Sequence, residues 1–225
     1  MKTQLAYSLA ALALSAFAST ASAALIPSGV HNDVAFSTVT DDWGWKLIST
    51  SDYGGGLSVA DLFAGHQKYV MLGAMRRGST TIDVLAADQY ATVTTYTSIN
   101  TTNKSNNVGW YYNGYSMGFA GADDIICQNS ADVCAMGERD RMSWHTSNSI
   151  SYWEQNHLTA PNYVFNGWRS GNNTGIYSGT DWVRVVFTRD EIRTEVPEPA
   201  SLGLIGLGVF ALAAARRKSR AAKNA

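Results

Sequence analysis

Charge is scarce in this chain. Asp, Glu, Lys and Arg make up only 16% of its 225 residues, too few for the basic face with which a protein neutralises nucleic-acid phosphates. Cysteine is scarcer still, at two residues, which excludes a disulfide-dense scaffold and any four-thiolate metal site. The four histidines, His31, His66, His145 and His157, fall at no metal-ligating spacing. There is no His-Glu-x-x-His and no Gly-x-Ser-x-Gly, and Gly54-Gly55-Gly56 lacks the Gly-Lys-Ser/Thr that completes a phosphate loop. No internal repeat recurs at a fixed period. No signature of catalysis is present, and no metal ligand set either.

What the chain does have is an address at each end. Lys2 opens a short positive region, residues 5–18 are mostly apolar, and Ala21-Ser22-Ala23 is a small-x-small cleavage triplet. This is a secretory signal peptide, residues 1–23, for the general secretion machinery and signal peptidase, with cleavage after Ala23. At the other end Val196-Pro197-Glu198-Pro199 precedes an uncharged run, residues 200–215, and then Arg216-Arg217-Lys218 with Arg220 and Lys223. As a helix the run reaches about 24 Å at 1.5 Å per residue, short of a hydrocarbon core of about 30 Å. Local thinning and flanking side chains can make up the difference. The two prolines give the span a defined start, and the basic cluster fixes its C-terminal end on the cytoplasmic side.

A Pro-Glu-Pro element, an apolar helix and a basic stop, in that order at a C-terminus, resemble the PEP-CTERM sorting signal of exosortase substrates in Gram-negative bacteria. The resemblance covers residues 196–220. It implies that an exosortase in the inner membrane recognises the Pro-Glu-Pro element and removes the tail. The product then passes to the cell surface or to an exopolysaccharide matrix. The alternative reading of the same run is a plain single-span anchor that is never cut.

Setting both addresses aside leaves residues 24–195 as an exported module. The whole chain carries −1; Lys2 supplies one positive charge, and the five basic residues against one acid beyond Glu195 supply four more, so the module stands at −6. Modest acidity favours solubility and disfavours nucleic acid as a partner. A module of this length buries one core. Short alternating or β-branched runs, punctuated by Gly, Asn and Asp, predict an all-β fold: a single antiparallel β-sandwich or jelly-roll-like domain. The expected strands are 34–39, 45–49, 69–75, 81–85, 91–98, 110–119 with a hairpin turn at Asn113-Gly114, 141–146, 163–168 and 182–188, with a helical turn over 59–63 and a polar loop over 100–107. In the last strand Val183, Val185 and Phe187 share one face, and Trp182, Arg184 and Val186 the other. Gly109-Trp110-Tyr111-Tyr112-Asn113, Arg141-Met142-Ser143-Trp144-His145 and Gly167-Trp168-Arg169-Ser170-Gly171 look like parts of a module found in other exported PEP-CTERM proteins. That resemblance brings no activity with it.

Three constellations bear on chemistry. Cys127 and Cys134, in an exported chain, read as one disulfide, which for so small a ring stabilises by about 2–3 kcal/mol at most. A metal site there would need further ligands. Asp123, Asp124, Asn129 and Asp132 crowd the same loop; their oxygens would suit Ca²⁺, although no EF-hand pattern is present and a solvated loop is the simpler reading. Asp140, Ser143 and His145 are the residue types of a hydrolytic triad without a visible oxyanion hole, and Glu138 with Glu154 would make a glycosidase pair only at a fixed separation. The third constellation is aromatic. All seven tryptophans lie in the module, and most are core residues. Rings beside Asn and Gly can also stack on sugars, and Trp110, Tyr112 and Tyr115 of the hairpin and Trp153 are the residues placed for that. The resulting expectation is a non-enzymatic surface or matrix component without a cofactor; a carbohydrate-binding module for exopolysaccharide is the alternative, and an extracellular hydrolase the remote one.

Overall fold

Residues 69–75 and 182–188, apolar and β-branched, pair as the two central strands of a sheet. β4 (Tyr69–Arg76) lies antiparallel to β12 (Trp182–Arg189) through eight consecutive partners, from Trp182 opposite Arg76 to Arg189 opposite Tyr69. The computed structural model describes residues 26–127, 131–149, 158–176 and 181–190, all within one compact unit. The signal peptide, the sorting tail, Trp153 and Glu154 lie outside the described residues. Around the central pair, β1 (His31–Ala35) and β5 (Thr81–Gln89) complete one side and β2 (Lys46–Asp52) the other, in the order β1-β5-β4-β12-β2.

The second sheet is built mainly from sequential hairpins. Its strands are β6 (Asn103–Ser105), β7 (Val108–Tyr112), β8 (Ser116–Gly121), β9 (Met142–Ser147), β10 (Tyr163–Ser170) and β11 (Asn173–Thr174), in the order β11-β10-β9-β8-β7-β6. The two-residue β3 (Leu57–Ser58) adds to the edge of β10. The fold is therefore all-β, two antiparallel sheets with few helices, as the alternation of the sequence requires. The Asn113 turn forms as expected: Asn113 Oδ1 accepts the N–H groups of Tyr115 and Ser116.

The main core lies between the sheets. Val70, Leu72, Ala74, Val84, Ala86, Trp182 and Val186 of the first sheet meet Val108, Trp110, Tyr112, Met117, Phe119, Met142, Trp144 and Val164 of the second. The faces of β12 separate as its period of two dictates: Val183, Val185 and Phe187 point the other way, into a second apolar layer with Met71, Met75, Ile82 and Leu85. The chain before β2 covers that layer with Val39, Trp45, Phe36 and Trp43. The inner strands of the first sheet, β5, β4 and β12, are thus largely buried on both faces, while the edge strands β1 and β2 stay partly exposed.

Two expected strands are replaced by turns. Over 34–39 the strand stops at Ala35, and Thr38–Asp42 winds into a π-helical turn closed by Trp43 N–H to Thr38 O at 2.8 Å. Its buried Val39 and the two tryptophans that follow serve as the lid just described. Over 91–98 the chain forms the short helix α2 (Tyr90–Val93). The Thr94 and Thr95 hydroxyls donate to the carbonyls four residues back, at 2.8 and 2.6 Å, so threonines that favour strands elsewhere hold a helical turn here. Tyr90 anchors that turn by stacking on His66 and meeting Phe63 edge-on. The turn expected at 59–63 is α1 (Val59–Leu62), N-capped by Ser58 Oγ, which accepts the Asp61 N–H at 3.0 Å.

The two sheets are joined at a corner where β2 runs toward β3. Tyr53 N–H donates to Trp182 O at 3.0 Å and Tyr53 O accepts from Gly167 at 2.9 Å, so one residue pairs with both sheets. The Tyr53 ring lies flat against Gly167, where a Cβ would fall inside the ring. Gly167→Ala should therefore destabilise the fold by about 3 kcal/mol or more, well beyond an ordinary glycine-to-alanine change, because both backbones are fixed by their ladders. Urea denaturation followed by tryptophan fluorescence measures this; a wild-type midpoint would show that the corner yields.

Candidate functional site

Arginine at an inward strand position is the first unusual local feature. Arg184 shares its face of β12 with Trp182 and Val186 and is fully buried. Among the described residues no carboxylate forms an ion pair with it, and its Nε has no acceptor. Its guanidinium instead donates to oxygens of the corner: Nη1 to Ser51 Oγ at 3.0 Å and Asp52 O at 2.7 Å, and Nη2 to Tyr53 O at 3.2 Å, Gly55 O at 2.8 Å and Phe165 O. The Tyr53 and Trp144 rings lie 5.7 and 5.9 Å from it. Burial lowers its pKa to about 10, which leaves it charged at neutral pH. The cation joins the backbone of β2 to that of β10, and Trp144 Nε1 donates to the Tyr53 hydroxyl at 3.1 Å above it.

The outer face of the second sheet carries three further buried charges, Asp132, Arg141 and Arg169. The loop from β8 to β9, stapled by a Cys127–Cys134 disulfide with Cα atoms 5.2 Å apart, folds back over Tyr111, Ala120 and Ser143. Asp132, fully buried, organises this cap. Its Oδ1 accepts the N–H groups of both Cys127 and Cys134, at 3.3 and 3.1 Å, and its Oδ2 pairs with Arg141 at 2.9 Å. Trp168 Nε1 donates to Asp132 O at 3.0 Å. Arg169 donates to the carbonyls of Gly171, Cys134, Ala135 and Glu138, all within 2.9 Å. Arg141 also bonds Glu138 and the Ile125 carbonyl. Burial pulls Arg141 down, but Glu138 and Asp132 outweigh it and leave its pKa raised; Arg169 ends lowered by burial.

These contacts decide the expected sites. Asp132, Asp124 and Asp123, proposed as oxygen ligands for Ca²⁺, are engaged by Arg141, Arg141 and Lys104; Asn129 lies outside the described residues, and no cluster of metal-ligating side chains occurs among those described. Ser143 and His145 share a buried face, as their spacing requires, but face separate partners. Ser143 Oγ accepts the Asp132 N–H at 3.3 Å, and His145 Nδ1 meets Asn166 O at 3.1 Å. Asp140 turns to Asn32, on β1. Glu138 is tied to Arg141, and its proposed partner Glu154 is outside the described residues. The aromatic expectation is corrected in part. Trp110 and Tyr112 are buried between the sheets, with Trp110 Nε1 donating to the buried Asp88 at 3.1 Å and the Tyr112 hydroxyl donating to Pro161 O. Neither can present a ring to a sugar. Tyr115 is half-buried, and Trp153 lies outside the described residues. Sequence reasoning gave no role to Asp88 or Arg169 and read Asp132 as an oxygen of a calcium loop; the inward place of Arg184 was the one visible signal that charge would be buried.

Residues 195–218 match the model of the PEP-CTERM protein-sorting motif. No curated protein and no solved structure matches the chain. The motif implies export, transient anchoring in the membrane and an exosortase as processing partner. Among the described residues no helix is long and apolar enough to cross a membrane.

Two outcomes follow from this network. Asp132→Ala leaves Arg141 and Arg169 buried with their common carboxylate gone and should cost about 3–5 kcal/mol. The Cys127→Ser/Cys134→Ser double variant should cost no more than about 2–3 kcal/mol. Chemical denaturation of the two in parallel gives the order; a larger loss for the cysteine variant would make the disulfide the principal anchor. Separately, burial lowers His145 to about 4, against about 6.5 in an unfolded chain. The native state then holds a neutral imidazole while the unfolded state takes up a proton. Stability should be complete above pH 6.5, fall by about 2–3 kcal/mol as pH drops toward 4, and change no further from this group below that. Asp83, raised by burial, acts in the opposite sense as it takes up its proton. Melting curves from pH 7 to pH 4 should show the decline in wild type and a flatter profile in His145→Gln; equal slopes would remove His145 as the cause.

Proposed function

We propose that the protein is an exported, non-enzymatic module that an exosortase frees from its membrane span, delivered to the cell surface or extracellular matrix as a structural or adhesive component. The observation that carries this reading is the sorting motif at residues 195–218, joined to a secretory leader at residues 1–23. The fold lends support in two ways. The Cys127–Cys134 disulfide suits an oxidising compartment beyond the inner membrane. The polar side chains with triad chemistry, Ser143 and His145, serve the packing of the cap and of β10. A second reading, a carbohydrate-binding module, is favoured by a hydroxyl-lined hollow beside β1.

The test is to express the full gene with and without the exosortase and to map the C-terminus of the released protein by mass spectrometry. The expected product ends near Val196-Pro197-Glu198-Pro199 and lacks residues 200–225, and it appears only with the exosortase. Full-length protein persisting in exosortase-positive cells would make the tail a plain anchor.

A further inference from the structure

The π-helical turn Thr38–Asp42 sits beside the β4–β5 hairpin, and between them lies an open hollow of about 430 Å³. That volume is within the range of about 300–1,000 Å³ common for small-molecule sites. Its lining is mixed: Phe36 and Ala35 are apolar, and Ser37, Thr40, Thr80 and Thr81 are hydroxyl-bearing. Among the described residues Asp41 is the one charged side chain on it. Phe36 is fixed from behind by the Phe187 ring, 5.4 Å away, and its N–H donates to Thr80 O at 2.8 Å, so Phe36 and the hairpin hold a set distance. Thr40 Oγ1 donates to Asp41 Oδ1 at 2.6 Å, which orients the carboxylate.

The turn itself explains why these groups stand out. A π-helical turn is a rare conformation, frequent at functional sites. Here the burial of Val39 and Trp45 holds it, with Trp45 N–H donating to Val39 O at 3.0 Å. The widened turn carries Thr40 and Asp41 on its outer side, at the hollow.

We propose that this hollow binds a neutral saccharide unit. A pyranose has apolar C–H faces and a rim of hydroxyls, and it needs a flat apolar surface with acceptors and donors around it. Phe36 supplies the first, and the hydroxyls with Asp41 supply the second. The charge on the lining sets the class: among the described residues it holds no cation, and Asp41 repels a uronate or a sulfated sugar and accepts hydrogen bonds from a neutral one. The site deepens the carbohydrate-binding reading and rests on it. It moves the contact from the Trp110 hairpin, where the sequence placed it, to the far side of the first sheet.

The experiment is saturation-transfer NMR on the full chain in a sugar-free zwitterionic detergent, against neutral gluco-, galacto- and manno-oligosaccharides and a polyuronate control. The expected result is transfer to at least one neutral oligosaccharide and little to the polyuronate. Affinity should fall tenfold or more in Asp41→Ala and in Ser37→Trp, which fills the hollow. Both changes are at exposed positions, and an unchanged melting temperature verifies the fold. Transfer to no neutral sugar at millimolar concentration overturns the carbohydrate reading as a whole. Binding of equal strength in wild type and both variants overturns this site and leaves that reading standing. Preference for the polyuronate overturns the assignment of class.

Discussion

A guanidinium taken out of water keeps its charge and needs acceptors for its N–H groups. Among the described residues no carboxylate forms an ion pair with the buried Arg184, so the backbone supplies most of the oxygens to its two terminal nitrogens, and its Nε is left without an acceptor. The backbone does so from two sheets at once, from the end of β2 and the turn after it and from β10. The path of the chain at this corner follows from that demand. Tyr53 must turn its carbonyl inward, β3 must reach the edge of β10, and position 167 must be glycine to let the Tyr53 ring lie against it. On β10 between β3 and β11, Arg184 meets Phe165 O and Tyr53 O meets the Gly167 N–H.

The same rule, applied with a carboxylate available, builds the cap on the second sheet. Asp132 is met by two cysteine N–H groups and by Arg141, and Arg169 gathers the carbonyls of the returning loop. Three elements that share no sequence pattern meet there: the disulfide-closed loop after β8, the start of β9 and the end of β10. Each depends on the others, since removal of any one leaves a polar group buried and unpaired. The sheet face beneath is accordingly polar, with Ser143 and His145 buried on it, while the outer face of the first sheet is apolar.

Strand identity was legible where alternation was clean. Trp182–Arg189 folds with its faces divided as its residues demand, and Met142 and Trp144 face the core while Arg141 and Ser143 face out. The Asn113 hairpin was equally readable. Reading failed where the environment of a strand's second face mattered. Tyr111 and Tyr112 alternate across β7, and a sheet with one wet face would expose one of them. Both are buried, because the cap covers the outer side. Low overall charge was the hint that little sheet surface would meet water, but charge content does not say which segment provides the cover. Threonine-rich 91–98 misled for a local reason: side-chain bonds to carbonyls four residues back outweigh strand preference once Tyr90 is docked. At the hollow, hydroxyls from residues 37–40 and 80–81 converge only through the pairing of β1 with β5, Ala35 opposite Thr81, which no local pattern encodes.

The covers of the two sheets come from different stretches, residues 36–45 between β1 and β2 and residues 122–127 and 131–141 between β8 and β9, and each enters and leaves at the ends of strands. The strand ladders between them are registered by their own hydrogen bonds. Surface and frame are therefore separately variable. A lineage can exchange the outward chemistry of either cover, from apolar and hydroxylated to charged and cross-linked, without resetting a single strand register. For a protein whose route is fixed by a tail and whose encounters occur at its exterior, that separation lets one exported frame acquire new contacts by replacing a cover while its core and its passage out of the cell stay unchanged.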